Sequence, residues 1–92
     1  MAGLTKYEFT LNFGEKYTIS SAGGSIFSIR SGINAALGLY LIPLNRADIQ
    51  VITSAPGADG TFYSIEVVNN DLVITNMHNG IIYFSSLLIP LG

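Results

Sequence analysis

An all-β sandwich is the fold class this chain predicts, and three observations carry it. Short segments alternate apolar and polar side chains with a period of two, the period of a strand. Turn-forming clusters rich in Gly, Asn, Ser and Pro separate these segments at regular intervals. No stretch shows the 3.6-residue recurrence of an amphipathic helix. The expected architecture is one antiparallel β-sandwich domain over residues 1–92, jelly-roll-like or barrel-like, with about eight short strands.

The first segment, Leu4–Phe13, alternates most cleanly. Thr5, Tyr7, Phe9, Leu11 and Phe13 share one face, and Lys6, Glu8, Thr10 and Asn12 share the other. Lys6 and Glu8 suit a strand near a sheet edge, where charge discourages stray pairing. Gly14-Glu15 turns the chain into Lys16–Ser20, with Tyr17 and Ile19 facing alike. After the loop Ser21-Ala22-Gly23-Gly24, the strand Ser25–Ser31 places Phe27, Ile29 and Ser31 on its core face. Gly32-Ile33-Asn34 ends that pattern.

Ala35–Leu44 is apolar on both faces, as in a strand covered on both sides. A short helix after Asn34 is the rival. Gly38 in the middle, Pro43 near the end and the short length favour the strand. A polar turn, 45–48, leads to the strand Ile49–Ser54. The loop 55–60 follows, where Pro56 fixes φ and Gly57 and Gly60 permit positive φ.

Thr61–Ile89 is expected to be a three-stranded meander joined by two-residue turns at Asn69-Asn70 and Asn79-Gly80. The first turn sets Val68 opposite Asp71, Val67 opposite Leu72 and Ile65 opposite Ile74. The second sets His78 opposite Ile81, Asn76 opposite Tyr83 and Ile74 opposite Ser85. On this register Tyr63, Ile65, Val67, Leu72, Ile74, Asn76, Tyr83, Ser85 and Leu87 form the core face. Phe62, Met77, Ile82 and Phe84 then gather at one end of the opposite face. An apolar group there marks a subunit contact, the alternative being cover by one of the chain's own loops, such as 56–60.

Composition points the same way. Charged residues are 11% of the chain and hydrophobic residues 49%, with a mean hydropathy of +0.47. A soluble domain ordinarily has about 25% charged residues, so part of this surface is expected to be hidden in an assembly. Four Lys and Arg against six Asp and Glu give a net charge of −2, which speaks against nucleic acid. No cysteine is present, so neither disulfides nor thiolate metal sites contribute, which fits assembly inside a cell. No apolar run approaches the ~20 residues of a spanning helix, and no secretory h-region is visible. The chain begins at Met1 and is expected to be a complete small product.

Catalytic chemistry is not expected. His78 is the single histidine, while imidazole metal sites want two or more ligands and a triad needs a nucleophile and an orienting group. Asp59 and Asp71 are turn residues and do not make a calcium loop. Glu66 and Asp71 approach across the 69–70 turn but have no cleft between them. Gly23-Gly24 has neither the following Lys nor the helix of a phosphate loop. Tyr7, Tyr17, Tyr63 and Tyr83 fall on apolar faces and are expected in the core. No cofactor and no metal are anticipated.

A short, cysteine-free, charge-poor all-β chain with Ser/Asn turns resembles the small virion proteins of tailed bacteriophages. The segment VVNNDLVITNMHNGIIYFSSLLIP is similar in style to domains that decorate heads or end fibres and tails. The resemblance implies a non-catalytic virion component that assembles as a homo-oligomer, a trimer by preference, with other virion proteins as partners. It carries over no functional residue. The alternative is a carbohydrate- or receptor-binding module, with a host-surface glycan held by the loops Ser20–Ser25 and Ala55–Gly60.

Overall fold

The computed structural model describes residues 3–32, 37–45, 48–54 and 62–91. They form eight strands: β1 (Thr5–Leu11), β2 (Lys16–Ile19), β3 (Ser25–Ser31), β4 (Leu37–Ile42), β5 (Gln50–Ser54), β6 (Tyr63–Val68), β7 (Asp71–Asn76) and β8 (Ile82–Pro90). There is no helix among the described residues. Two antiparallel sheets result, one of five strands in the order β1-β8-β3-β4-β5 and one of three in the order β2-β7-β6. The molecule is an all-β sandwich.

The chain is nested. Its first strand pairs with its last, and its second with its second-last. That nesting matches the jelly-roll-like expectation, whereas the β3-β4-β5 succession is a plain meander within one sheet. Of the expected segment Ala35–Leu44, Leu37–Ile42 is a strand, not a helix, and residues 35–36 lie outside the described residues. Phe13 leaves the alternation of β1: it lies in the turn before Gly14 and is exposed.

Burial follows the two-residue period in both sheets. The large sheet turns Phe9 and Leu11, Phe27 and Ile29, Tyr40 and Ile42, and Ile82, Phe84 and Leu88 inward. The small sheet answers with Ile19, Tyr63, Val67, Leu72 and Ile74. A row of aromatic rings runs through this core. Tyr17 stacks on Phe9 with centroids 4.0 Å apart, and Phe9 meets Phe84 at 5.5 Å. Phe84 meets Tyr63 edge-on at 6.3 Å, and Tyr63 meets Tyr40 at 6.4 Å. Offset and edge-on geometries of this kind add to the gain from burial. The row ends in a hydroxyl-to-hydroxyl hydrogen bond of 2.6 Å between Tyr40 and Tyr63, one from each sheet. It satisfies two phenols that burial would otherwise penalise.

Gly38 makes room for that pair. A Cβ at position 38 would overlap the Tyr40 ring and the Tyr63 hydroxyl. Residues 38 and 40 share a face of β4, so the tyrosine ring folds back over the glycine. Gly38→Ala is expected to cost about 2–3 kcal/mol through overpacking. A fall in the urea midpoint with an unchanged slope would show it.

The Asn69-Asn70 turn is as expected. Both residues have positive φ, 51° and 69°, and the register Val68–Asp71, Val67–Leu72, Ile65–Ile74 follows. The Asn79-Gly80 turn is not a hairpin. β8 pairs with β1 and β3 in the other sheet, so residues 77–81 carry the chain across the sandwich. The pairs Asn76–Tyr83 and Ile74–Ser85 do not form, and the C-terminal meander is two strands rather than three. Asn76 fixes the crossing. Its amide donates to Leu11 O at 2.8 Å and Gly80 O at 2.7 Å, while its Oδ1 accepts from His78 N at 2.8 Å.

Candidate association surface

The change of sheet inverts the phase of β8, and with it the expected contact patch. Ile82 and Phe84 are 1% and 0% exposed in the core. Phe62 is half-buried against the core beside the His78 ring, and Met77 is exposed with its N–H bonded to Phe62 O. Phe62 and Met77 are therefore neighbours, but Ile82 and Phe84 belong to the opposite sheet and face inward. These four residues do not share a surface. Tyr83, Ser85 and Leu87, expected inside, point outward, and Tyr83 is 45% exposed.

A different apolar surface replaces that patch: the outer face of the five-stranded sheet. Cross-strand partners share a face, so the register gives its rows directly. One row runs Ile89, Ile26, Leu41, Gln50; the next runs Lys6, Leu87, Ser28, Leu39; the third runs Glu8, Ser85, Arg30, Leu37. Ile26, Leu37, Leu39, Leu41, Leu87 and Ile89 thus form one aliphatic group over three neighbouring strands. None is fully buried, and Leu37 and Ile89 are 47% and 40% exposed. The sequence did carry a signal for it, because Ala35–Leu44 is apolar at alternate positions on both sides. The signal pointed to cover on both faces, and within β4 the fold itself buries only Gly38, Tyr40 and Ile42.

Charge on this face lies on the β1 edge and at Arg30. Lys6 Nζ contacts Glu8 Oε1 at 2.9 Å on the β1 edge. That hydrogen bond, then one from the Tyr83 hydroxyl, holds the Glu8 carboxyl below its ordinary range. The same bond raises the Lys6 ammonium, and donation to Glu8 raises the Tyr83 phenol. The group is exposed, so it orients side chains more than it stabilises the fold. Arg30 stands alongside on β3.

Each sheet edge carries a device that discourages strand addition. β1 has the Lys6–Glu8 pair, β2 is four residues long with Lys16 exposed, and β6 presents Glu66. β5 is bulged: Tyr40 opposes Val51 and Leu39 opposes Thr53, leaving Ile52 as the extra residue. The outer face of the large sheet has no such protection over its aliphatic centre.

The loop Ser20–Ser25 is committed to internal bonds. Ser21 N donates to Asp71 Oδ1, Ala22 N to Asn70 O, and Gly24 N to Ile42 O. Gly23 lies against the Asn70 side chain, which also accepts from Asn45 N. The other expected ligand loop, 55–60, lies outside the described residues, as does Asp59. Glu66 is exposed, and Asp71 is engaged with Ser21. Tyr40 and Tyr63 are core residues, while Tyr7 and Tyr17 are half-buried against the core. Among the described residues no group of three His, Cys, Asp or Glu could hold a metal, and no helix is long and apolar enough to cross a membrane. Comparison with protein-family models, curated proteins and solved structures finds no match.

Proposed function

We propose that this chain is a non-catalytic structural subunit that works by associating with protein through the outer face of its five-stranded sheet. The aliphatic group on that face carries the proposal. Six branched side chains on three adjacent strands, with Arg30 beside Leu37 at one end of the group, are more than a water-facing sheet needs. The low charge of the whole chain, 11%, supports it. A virion component of a tailed phage, in a head decoration, fibre or tail, is the setting that this sandwich and composition suit best. In that setting the chain acts with copies of itself and with other virion proteins.

The carbohydrate- or receptor-binding alternative draws on loops that are internally bonded at 20–25, and no specific observation favours it. Multi-angle light scattering at micromolar concentration tests the association. The expected result is a mass of two or more 9.8 kDa chains. A strict monomer at every concentration would overturn the proposal.

A further inference from the structure

We infer that Asn79-Gly80 is a modification site, at which the chain converts its own asparagine to aspartate and isoaspartate in water, and that the Asn76 side chain sets the rate. The inference is independent of the association proposed above.

Sequence and exposure single the pair out. It is the one Asn-Gly in the chain, and every other Asn precedes a residue with a Cβ. A side chain at the following position shields the backbone nitrogen, whereas glycine leaves it open. Asn79 is exposed and lies outside the ladders, in the crossing from β7 to β8. Asn12, Asn70 and Asn76, by contrast, hold their side chains in hydrogen bonds. The fold also requires the glycine: Gly80 has φ 154°, a conformation that residues with a Cβ rarely adopt. Its nitrogen is therefore unshielded for a structural reason.

The chemistry needs only water. The Gly80 nitrogen gives its proton to hydroxide and attacks Asn79 Cγ. The N–Cγ bond forms, the Cγ–Nδ2 bond breaks, and the departing nitrogen takes a proton from water to leave as ammonia. Both reacting groups belong to one chain, so the attack is intramolecular. Water then opens the cyclic imide at either carbonyl. One opening gives aspartate, and the other gives isoaspartate, whose backbone is longer by a methylene. Either product adds a negative charge to a chain of net charge −2. The longer backbone falls where the crossing has to reach β8, the strand held between β1 and β3.

Geometry supplies a guard. The Gly80 N–H donates to His78 O at 2.8 Å, closing a three-residue turn around Asn79. Attack on Cγ requires that bond to open. Asn76 holds the turn from both sides, with Nδ2 donating to Gly80 O at 2.7 Å and Oδ1 accepting from His78 N at 2.8 Å. Residues 77–81 lie outside the strands, so the turn can open locally, at less cost than global unfolding. The folded chain therefore reacts, but more slowly than an unfolded one.

Peptide mapping by mass spectrometry tests this on the whole chain, kept in mildly alkaline buffer with and without urea, with circular dichroism as the check on folding. The folded wild type is expected to show the mass gain of an Asn-to-Asp exchange at Asn79 alone, with isoaspartate among the products. Urea should speed the reaction. Asn76→Leu should speed it about tenfold in buffer, the factor that one hydrogen bond contributes to holding the turn closed. Asn79→Ser, at an exposed position, should fold and show no gain. If Asn76→Leu fails to fold, the ratio of wild-type rates with and without urea carries the test of the guard. A folded chain unmodified at Asn79 while the chain in urea converts, or conversion spread over the other asparagines, overturns the site. Equal rates in buffer and in urea, or a folded Asn76→Leu protein that reacts no faster than the wild type, overturn the guard.

Discussion

Phe84→Asp is expected to abolish the folded state. The ring is 0% exposed and sits between Phe9 of its own sheet and Tyr63 of the facing one. Removing a buried phenylalanine costs about 3–5 kcal/mol through lost burial and the cavity left behind. A carboxylate in its place adds several kcal/mol, since it would be buried against the rings of Phe9 and Tyr63. A domain of this length has only about 5–14 kcal/mol in total. The measurement is amide dispersion in a proton–nitrogen NMR spectrum, which should collapse to the narrow range of an unfolded chain. The paired control is Tyr83→Ser, one residue away on the opposite side of the pleat. It should keep its dispersion, because Tyr83 faces outward. A hairpin through Asn79-Gly80 predicts the reverse order of damage, so the two variants together decide the phase of β8. A folded Phe84→Asp protein would refute the arrangement of the core.

That inversion marks where the sequence ceased to be legible. β1, β3 and β7 have one apolar and one more polar face, so alternation assigns their core residues. β8 does not: Ile82, Phe84, Ser86 and Leu88 alternate with Tyr83, Ser85, Leu87 and Ile89, and the two sets are almost equally apolar. Alternation alone cannot set the phase of such a strand, so the decision passed to the turn. Asn69-Asn70 gave the right register because both residues adopt the positive φ of a two-residue hairpin. Asn79-Gly80 resembles that turn in composition, yet Gly80 has φ 154° and its N–H bonds to His78 O. What separates the two is long-range. The edges of β1 and β3 take up both sides of β8, an arrangement no local pattern announces. The aliphatic outer face was half legible for the same reason. Leu37, Leu39 and Leu41 were evident from β4, but Leu87 and Ile89 join them only once β8 has the correct phase and the correct sheet.

Asn76→Leu is the second large loss expected. Asn76 is 0% exposed at the end of β7, where the chain leaves the small sheet for the large one. Three backbone groups depend on its side chain: Leu11 O, Gly80 O and His78 N. Leucine keeps the branching of the side chain but is larger, so overpacking adds to the loss of the hydrogen bonds. A buried polar group left without a partner costs about 1–3 kcal/mol. The Leu11 carbonyl is the most deeply placed of the three, so the variant should lose about 3–5 kcal/mol in all. Urea denaturation followed by circular dichroism measures that loss. Hydrogen exchange locates it, with the amides of His78 and Gly80 losing protection first while the β6–β7 hairpin keeps its own. Asn76→Asp sharpens the test through pH. Its carboxylate would face two carbonyl oxygens, so the folded state favours the protonated acid and raises its pKa above the unfolded value. A group shifted that way is most stable below the unfolded pKa and loses stability as pH rises toward the folded one. Asn76→Asp should therefore be less stable at neutral pH than in mild acid, relative to the wild type at each pH. An Asn76→Leu protein as stable as the wild type would mean that the crossing from β7 to β8 is held by something other than this side chain.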